Sequence, residues 1–168
     1  MNREQALEEL KLRLSDTHVL NRSFVVEAMM QELALHLNAD AALWGMAGLL
    51  HDIDYQKTLN QPEFHGMVGA EVLENLNFDG SIVYSVRAHN KLSKIPRKRK
   101  MDKSLYICDI IADLVLRTYN GNPALKEDTE QELLKQLEKE ELTPEINDIG
   151  FSAMDLIKLA VKVADTIK

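Results

Sequence analysis

The spacing of the apolar residues restricts the fold of this chain more than any other feature. Only 7 Gly and 4 Pro occur in its 168 residues. Between them, apolar side chains recur three or four positions apart, which is typical of amphipathic helices. Val26, Met30, Leu33 and Leu37 form one such stripe. No stretch of any length shows the period-two alternation of a strand, so the sequence predicts an all-α fold.

The same pattern locates the helices and the segments that join them. Helices are predicted over residues 18–37, 41–50, 66–76, 81–90, 102–119, 126–141 and 153–167. The segment 41–50 is apolar nearly all round, so we expect a central, buried helix, with Asp40 as its N-cap. Loops are predicted over 54–64 and over the basic stretch 91–100.

Length and cysteine content limit the class of protein. A chain of 168 residues fits one domain, here residues 1–168, and is long enough to bury a core without crosslinks. One cysteine excludes an internal disulfide framework and a zinc site made of cysteines alone.

Charge and hydropathy indicate where such a chain would work. The longest strongly apolar run, 41–50, is far short of the roughly 20 residues of a membrane span, and the polar N-terminus does not resemble a secretory signal. We therefore expect a cytoplasmic protein. A net charge of −7 argues against broad binding to membranes or nucleic acid.

Ionisable residues lie on helical faces that should be apolar. Asp109 is on the stripe of helix 102–119, four residues after Leu105, and His89 completes a row that includes Val86. A buried carboxylate needs a charged partner or a metal. Asp109 alone could pair with an arginine, and His89 alone could be a hydrogen-bonded core histidine.

Three further candidates lie where a helix begins or ends. His51 and Asp52 directly follow the apolar helix 41–50, and His65 precedes the helix 66–76. Together with His89 and Asp109, they direct three imidazoles and two carboxylates toward one interior. This donor set, without thiolate, suits Mn, Fe, Co, Ni or Zn, and the carboxylates also suit Mg. Their co-occurrence raises a metal site to an equal alternative to separate structural roles.

These residues stand in a recognisable order along the chain. They are Leu49-Leu50-His51-Asp52, His65-Gly66, Arg87-Ala88-His89-Asn90 and Asp109, with Trp44 to Gly48, Asp54-Tyr55 and Gly69-Ala70-Glu71 beside them. The set resembles the HD-domain superfamily of metal-dependent phosphohydrolases. The resemblance covers about residues 15–120, with C-terminal helices following over about 126–168. It implies a helical bundle of five or more core helices.

The resemblance also implies roles for the candidate residues. His51, Asp52 and Asp109 would hold a first metal together with an earlier histidine, and Asp52 would bridge to a second metal held by His65 and His89. Metals in such a pair lower the pKa of a shared water, so that metal-bound hydroxide attacks phosphorus. His51 and Asp52 would thus be catalytic.

One position departs from the family pattern. We expect Asn21 where the family has its first histidine, and an amide is a poorer ligand than imidazole for transition metals. His18, three residues earlier, is expected to be exposed. The first metal position is therefore expected to be weakened, which keeps open the alternative of a catalytically impaired HD domain serving as a ligand-binding or interaction module.

Other polar residues extend the predicted site. Asp54 is a candidate catalytic group that orients a histidine or the water, or else caps a loop. Asn90 is predicted to bind substrate. Eight Lys and Arg occur between residues 87 and 103, and Arg97 and Lys98 among them are predicted to attract substrate phosphate, the alternative being a solvated loop.

The function predicted from the sequence follows from these assignments. It is hydrolysis of a small phosphorylated molecule, with a nucleotide phosphoester or anhydride as the expected substrate class, using one or two divalent metal ions. No membrane partner is expected. The sequence does not predict the substrate itself, the metal, or the oligomeric state.

Overall fold

The fold is a bundle of α-helices, seen in a computed structural model that describes residues 1–119 and 127–167. The helices are α1 (Arg3–Lys11), α2 (Thr17–His36), α3 (Ala41–Leu50), α4 (Tyr55–Thr58), α5 (Met67–Asn75), α6 (Gly80–Ala88), α7 (Lys100–Tyr119), α8 (Glu127–Glu138), α9 (Thr143–Ile149) and α10 (Ala153–Thr166). Those residues contain no strand, which confirms the all-α prediction. No helix among them is both long enough and apolar enough to span a bilayer.

Most of the predicted helices are present with ends shifted by two residues or fewer. The predicted helix 126–141 is shorter, because α8 ends at Glu138, and residue 126 lies outside the described part of the chain. The predicted loop 54–64 is wrong in part, since it contains α4 and a 3-10 turn over Pro62–Phe64. The predicted loop 91–100 contains a second 3-10 turn over Lys91–Ser93, and α7 already begins at Lys100.

Besides α4, two helices, α1 and α9, were not predicted. Both are short, at 9 and 7 residues, and each buries only two side chains. A period of 3.6 residues is difficult to recognise in two turns of mostly polar sequence.

Side-chain caps fix where the central helices begin. The Asp16 carboxylate accepts hydrogen bonds from the backbone N–H groups of His18 and Val19 at the start of α2. The Asp40 carboxylate accepts one from Leu43 at the start of α3, as predicted. Each cap satisfies backbone donors that have no partner within the helix.

Helix α3 lies at the centre of the bundle, in contact with α1, α2, α6 and α7. Its closest neighbour is α2, and Gly48 allows this approach: a Cβ atom at that position would lie 2.8 Å from backbone atoms of Glu27. Residues that follow the C-terminal end of α3 are therefore inside the protein, and His51 and Asp52 are fully buried.

Candidate metal centre

His51 follows α3, and both of its ring nitrogens have defined neighbours. Nδ1 lies 2.8 Å from the carbonyl oxygen of Gly48, which can only accept a hydrogen bond, so Nδ1 carries a proton and donates it. Nε2 lies 3.1 Å from Oδ1 of Asp109 and 3.2 Å from Oδ2 of Asp52. Nε2, the nitrogen of this imidazole that is left for a ligand, is thus directed at two carboxylates.

His89 follows α6 and is held in the same manner. Its Nδ1 lies 2.6 Å from the carbonyl oxygen of Val86, and its Nε2 lies 3.0 Å from Nε2 of His65. Gly66 brings the segment with His65 this close: its φ is +80°, and a Cβ there would lie 2.7 Å from the Val86 oxygen. Glycine is the residue that fits both the left-handed backbone and the space.

Asp54 positions His65 from the side opposite Asp52. Its Oδ1 lies 2.9 Å from Nδ1 of His65, while its Oδ2 accepts hydrogen bonds from the backbone N–H groups of Gly66 and Gly69. Nε2 of His65 then lies 3.2 Å from Oδ1 of Asp52. Asp54 contacts the far nitrogen of an imidazole rather than the centre itself, so it is a positioning residue.

The three imidazoles share one arrangement. Each has Nδ1 next to an oxygen acceptor, so in its neutral form each presents the unprotonated Nε2 toward Asp52. Atoms of His51, Asp52 and His89 all lie within 4.8 Å of one another, and Oδ1 of Asp52 has no hydrogen-bond partner in the described part of the chain. With neutral rings, the Nε2 atoms and Oδ1 of Asp52 are all acceptors, and acceptors that converge in this way fit a cation.

The distances between the converging atoms also fit the separations expected of ligands around one divalent ion. Ligands about 2.1 Å from a cation, at right angles to one another, are about 3.0 Å apart. His65 Nε2 lies 3.0 Å from His89 Nε2 and 3.2 Å from Asp52 Oδ1. The separations of His65 from His89 and from Asp52 are therefore compatible with a divalent ion, and ligand atoms of His89 and Asp52 lie within 4.8 Å of one another.

The side chain of α2 that enters the cluster is Arg22, which the sequence analysis did not identify. Asn21 is exposed, so the prediction that Asn21 lies at the first metal position is wrong. Arg22 bonds Oδ2 of Asp52 through Nε, at 3.0 Å, and through Nη2. Its Nε also lies 3.5 Å from Oδ1 of Asp109, and its Nη1 lies 3.4 Å from Oδ1 of Asp113.

Arginine and the acids stabilise each other's charges. Burial alone would raise the pKa of Asp52, but the positive charges of His51 and Arg22 keep it well below its usual range. Burial likewise opposes ionisation of Asp109, and Arg22 and His51 nevertheless lower its pKa to about 2. The pKa of Arg22 is raised by the same acids, against the effect of burial.

The histidines differ in their affinity for protons. Burial opposes a charge on His51, but Asp52 and Asp109 raise its pKa to about 10. Burial also opposes a charge on His65, and Asp52 and Asp54 raise its pKa to about 9. Burial and the positive charges of His65 and His51 lower the pKa of His89 to about 4. Without a metal, protons on His51 and His65 thus balance the acids.

Comparison with known proteins assigns the chain to a family. The model of the HD domain matches residues 19–166, which is most of the chain. This chain belongs to the HD-domain family. An uncharacterized protein of Methanocaldococcus jannaschii is 35% identical over 94 residues, or 53% of this chain and 54% of that protein. The matched region thus spans about half the length of this relative.

Two residues predicted to bind substrate have structural roles in this HD domain. Asn90 donates both protons of its amide nitrogen, to the carbonyl oxygens of Pro62 and His65, at 2.7 and 3.0 Å. It therefore holds the segment that carries His65 and has no donor left for a substrate. Arg97 stacks on the ring of Tyr106, 3.8 Å from its centroid, and donates to the carbonyl oxygen of Ala88.

The basic segment between residues 87 and 103 lies against the acidic C-terminal part of the chain. Its cations pair with acids in or near α9: Lys91 with Glu140, Arg97 with Glu145, and Lys103 with Asp148. These pairs offset part of the positive charge that was expected to attract phosphate. The side chain of Lys98 is exposed, and its predicted role in substrate binding stays a prediction.

The remaining histidines and the cysteine lie outside the cluster. His18 and His36 are exposed, as expected for His18. Burial raises the pKa of the Cys108 thiol, which disfavours the thiolate that a nucleophile requires.

The sequence contained one signal for Arg22. It lies four residues before Val26, so the apolar stripe of α2 extends back to position 22 and not to position 21.

Proposed function

We propose that this HD domain is a metal-dependent hydrolase of a small phosphorylated molecule, with nucleotides as the substrate class. The observation that carries the proposal is the convergence of Nε2 atoms from His51, His65 and His89 on Asp52. Membership in the HD-domain family supports the same reaction class. Oδ1 of Asp52 is buried and has no hydrogen bond of regular geometry in the described part of the chain. The neutral imidazoles around Asp52 present unprotonated Nε2 atoms, and such a set of acceptors is suited to a cation.

The chain's own groups have separate tasks in this proposal. Asp52, His65 and His89 would hold a divalent ion, with Asp54 keeping Nε2 of His65 directed at it. A bound divalent ion lowers the pKa of a water ligand and compensates phosphate charge. Arg22 keeps Asp52 ionised, which maintains the carboxylate as a ligand at neutral pH.

Burial indicates the side from which a substrate reaches the cluster. His51, Asp52 and His89 are buried, whereas the side chains of Arg22, His65 and Asp109 are 12, 17 and 21% exposed. A cavity of about 180 Å³ lies beside His65. Its lining residues are Tyr55, Thr58, Leu59, Pro62, His65 and Asn90. Pockets for drug-sized ligands are about 300–1,000 Å³, so this volume suits a small substrate or one part of it.

The test uses protein treated with a chelator and then supplied with Mn²⁺, Co²⁺, Ni²⁺, Zn²⁺ or Mg²⁺. Release of phosphate or nucleoside is measured with nucleoside mono-, di- and triphosphates and with chromogenic phosphoesters. We expect turnover that needs an added ion and is lost in Asp52→Asn, because the amide carries no negative charge and replaces one carboxylate oxygen by an NH2 group. The control is Asp155→Asn, an exposed position on α10, which should retain activity. Turnover that survives in Asp52→Asn would falsify the proposal.

A second candidate function is a ligand-binding HD domain without turnover. The observation that favours it is Arg22, a cation already bound to Asp52 and Asp109. In that case nucleotides would raise the melting temperature of the protein without being hydrolysed under any metal condition. The same nucleotide panel, followed by thermal unfolding and by product analysis, separates the two functions.

A further inference from the structure

We infer that the Arg22 guanidinium takes the place of one cation, so that this chain binds a single divalent ion through Asp52, His65 and His89. The inference rests on the proposed metal-dependent function and specifies its stoichiometry. It departs from the two-ion arrangement in which Asp52 bridges a pair of metals.

The two carboxylate oxygens of Asp52 have different surroundings. Oδ2 accepts hydrogen bonds from Nε and Nη2 of Arg22 and lies 3.2 Å from Nε2 of His51. Oδ1 lies 3.2 Å from Nε2 of His65 and, like Oδ1 of Asp54, has no hydrogen bond of regular geometry within residues 1–119 and 127–167. One oxygen already has a cation as its partner, and the other is free to bind one.

The carboxylate oxygens that would form the other metal position both contact Arg22, and Nε2 of His51 lies beside the same two oxygens. The two oxygens are Oδ2 of Asp52 and Oδ1 of Asp109, and Nε of Arg22 contacts both. A divalent ion there would lie beside a fixed positive charge that cannot lose its proton. Like charges at this separation repel strongly in a buried site.

Counting charges gives the same number of ions. The carboxylates in and around the cluster are those of Asp52, Asp54, Asp109 and Asp113, and the guanidinium groups that pair with them are those of Arg22 and Arg117. Counting the carboxylates and guanidinium groups alone, four negative and two positive charges leave −2. One divalent ion brings this sum to zero and two bring it to +2, and a proton kept by His51 raises either total by one.

Arg22→His directly tests whether the guanidinium takes the place of an ion. In arginine, Nε is three bonds beyond Cβ, and in histidine Nε2 is also three bonds beyond Cβ. The variant therefore replaces a charged donor by a neutral ligand near the same place, and it removes one positive charge from the cluster. We expect a second divalent ion to bind in this variant.

The experiment measures Mn²⁺ bound per chain by elemental analysis after loading and desalting, together with the electron paramagnetic resonance spectrum. The unsubstituted protein should hold one ion with the six-line spectrum of an isolated Mn²⁺. Arg22→His should hold two, with the broadened spectrum of a coupled pair, and His65→Ala should hold none.

Each other result overturns the inference. Two ions in the unsubstituted protein would refute it while leaving the proposed hydrolase intact, and no ion would refute both. One ion that persists in His65→Ala would place it among His51, Asp52 and Asp109 instead. If Arg22→His still binds one, Arg22 is not what excludes the second. The spectrum of the unsubstituted protein needs no variant, so a folding failure does not prevent the test.

Discussion

Asp54 and His65 form a pair in which the carboxylate selects the ring nitrogen that is left for a ligand. Oδ1 of Asp54 lies 2.9 Å from Nδ1 of His65, so the negative charge of the carboxylate favours the proton of a neutral ring on Nδ1 and leaves the lone pair on Nε2. Oδ2 is already used by the N–H groups of Gly66 and Gly69. One buried side chain therefore orients the imidazole and the start of α5 together.

Asp54→Asn should weaken metal binding much more than it weakens the fold. The amide oxygen can still accept from Gly66 and Gly69, but the amide nitrogen would then donate to Nδ1 of His65 and move the ring proton to Nε2. We expect metal affinity to fall about 10–100-fold, as measured by isothermal titration with Mn²⁺. Asp155→Asn, on α10, is the matched control and should bind as the unsubstituted protein does. Equal affinity in both variants would exclude this role of Asp54.

Arg22→Ala should strongly destabilise the metal-free protein. It leaves Asp52 without its guanidinium in a buried site, and removing one partner of a buried ion pair costs about 3–5 kcal/mol. Arg87→Ala removes the more exposed pair with Glu74, which is worth about 0–1 kcal/mol. The free energy of unfolding from urea titration distinguishes the two variants.

Divalent metal should stabilise Arg22→Ala more than it stabilises the unsubstituted protein, because an ion can then occupy the place of the missing charge. Equal increases in melting temperature on adding Mn²⁺ would show that arginine and metal do not substitute for one another.

The sequence was sufficient to predict the helices that adjoin the cluster, although α1, α4 and α9 were missed. His51, Asp52, His65 and His89 each adjoin the end of a helical stripe, and a stripe determines which residues face the interior. The error at Asn21 came from aligning a motif by its order along the chain. Side chains of neighbouring residues in a helix point in directions about 100° apart. This rotation leaves the amide of Asn21 exposed and places Arg22 inside the cluster.

The partners of the basic segment could not be predicted in the same way. Periodicity indicates which side of a helix is apolar, but it does not indicate which acidic side chain a basic side chain will pair with. Lys103 pairs with Asp148, which is 45 residues away. Such a pair depends on how α9 packs against α7, and that follows from the whole bundle.

The apparent affinity for metal should increase with pH. In the metal-free protein His65 has a pKa of about 9 and is protonated at pH 7, whereas His89, with a pKa of about 4, is already neutral. A metal must displace the proton from His65, so raising the pH favours binding until about pH 9. We expect about a tenfold increase per pH unit between pH 6.5 and 8.5. Titrations in buffers of different ionisation enthalpy should report about one proton released. A constant affinity over this range would contradict the assignment of His65.

Arg97→Ala should affect stability, whereas Lys98→Ala should not. Arg97 stacks on Tyr106, donates to Ala88 and pairs with Glu145, so truncation removes contacts worth about 2 kcal/mol together. For a domain of this size that lowers the melting temperature by roughly 4–8 °C. The exposed Lys98 should change stability by less than about 0.5 kcal/mol. Calorimetry of both variants tests this, and equal melting temperatures would show that Arg97 is not structural.

Gly66→Ala should disturb both the fold and the cluster. A Cβ there would lie 2.7 Å from the carbonyl oxygen of Val86 and 3.1 Å from Nδ1 of His89. The left-handed φ of +80° costs a non-glycine residue about 1–2 kcal/mol before any clash is counted. We expect a total loss of about 2–4 kcal/mol in urea titration and a weaker affinity for Mn²⁺, since His89 must shift to relieve the contact.

Gly80→Ala is the matched control for this substitution. A Cβ at Gly80 would meet nothing within 4 Å, and this residue begins α6, where alanine is favoured over glycine. It should therefore be neutral or slightly stabilising, with unchanged metal affinity. If Gly66→Ala behaves as Gly80→Ala does, the close approach of Gly66 to His89 is not what brings His65 and His89 together.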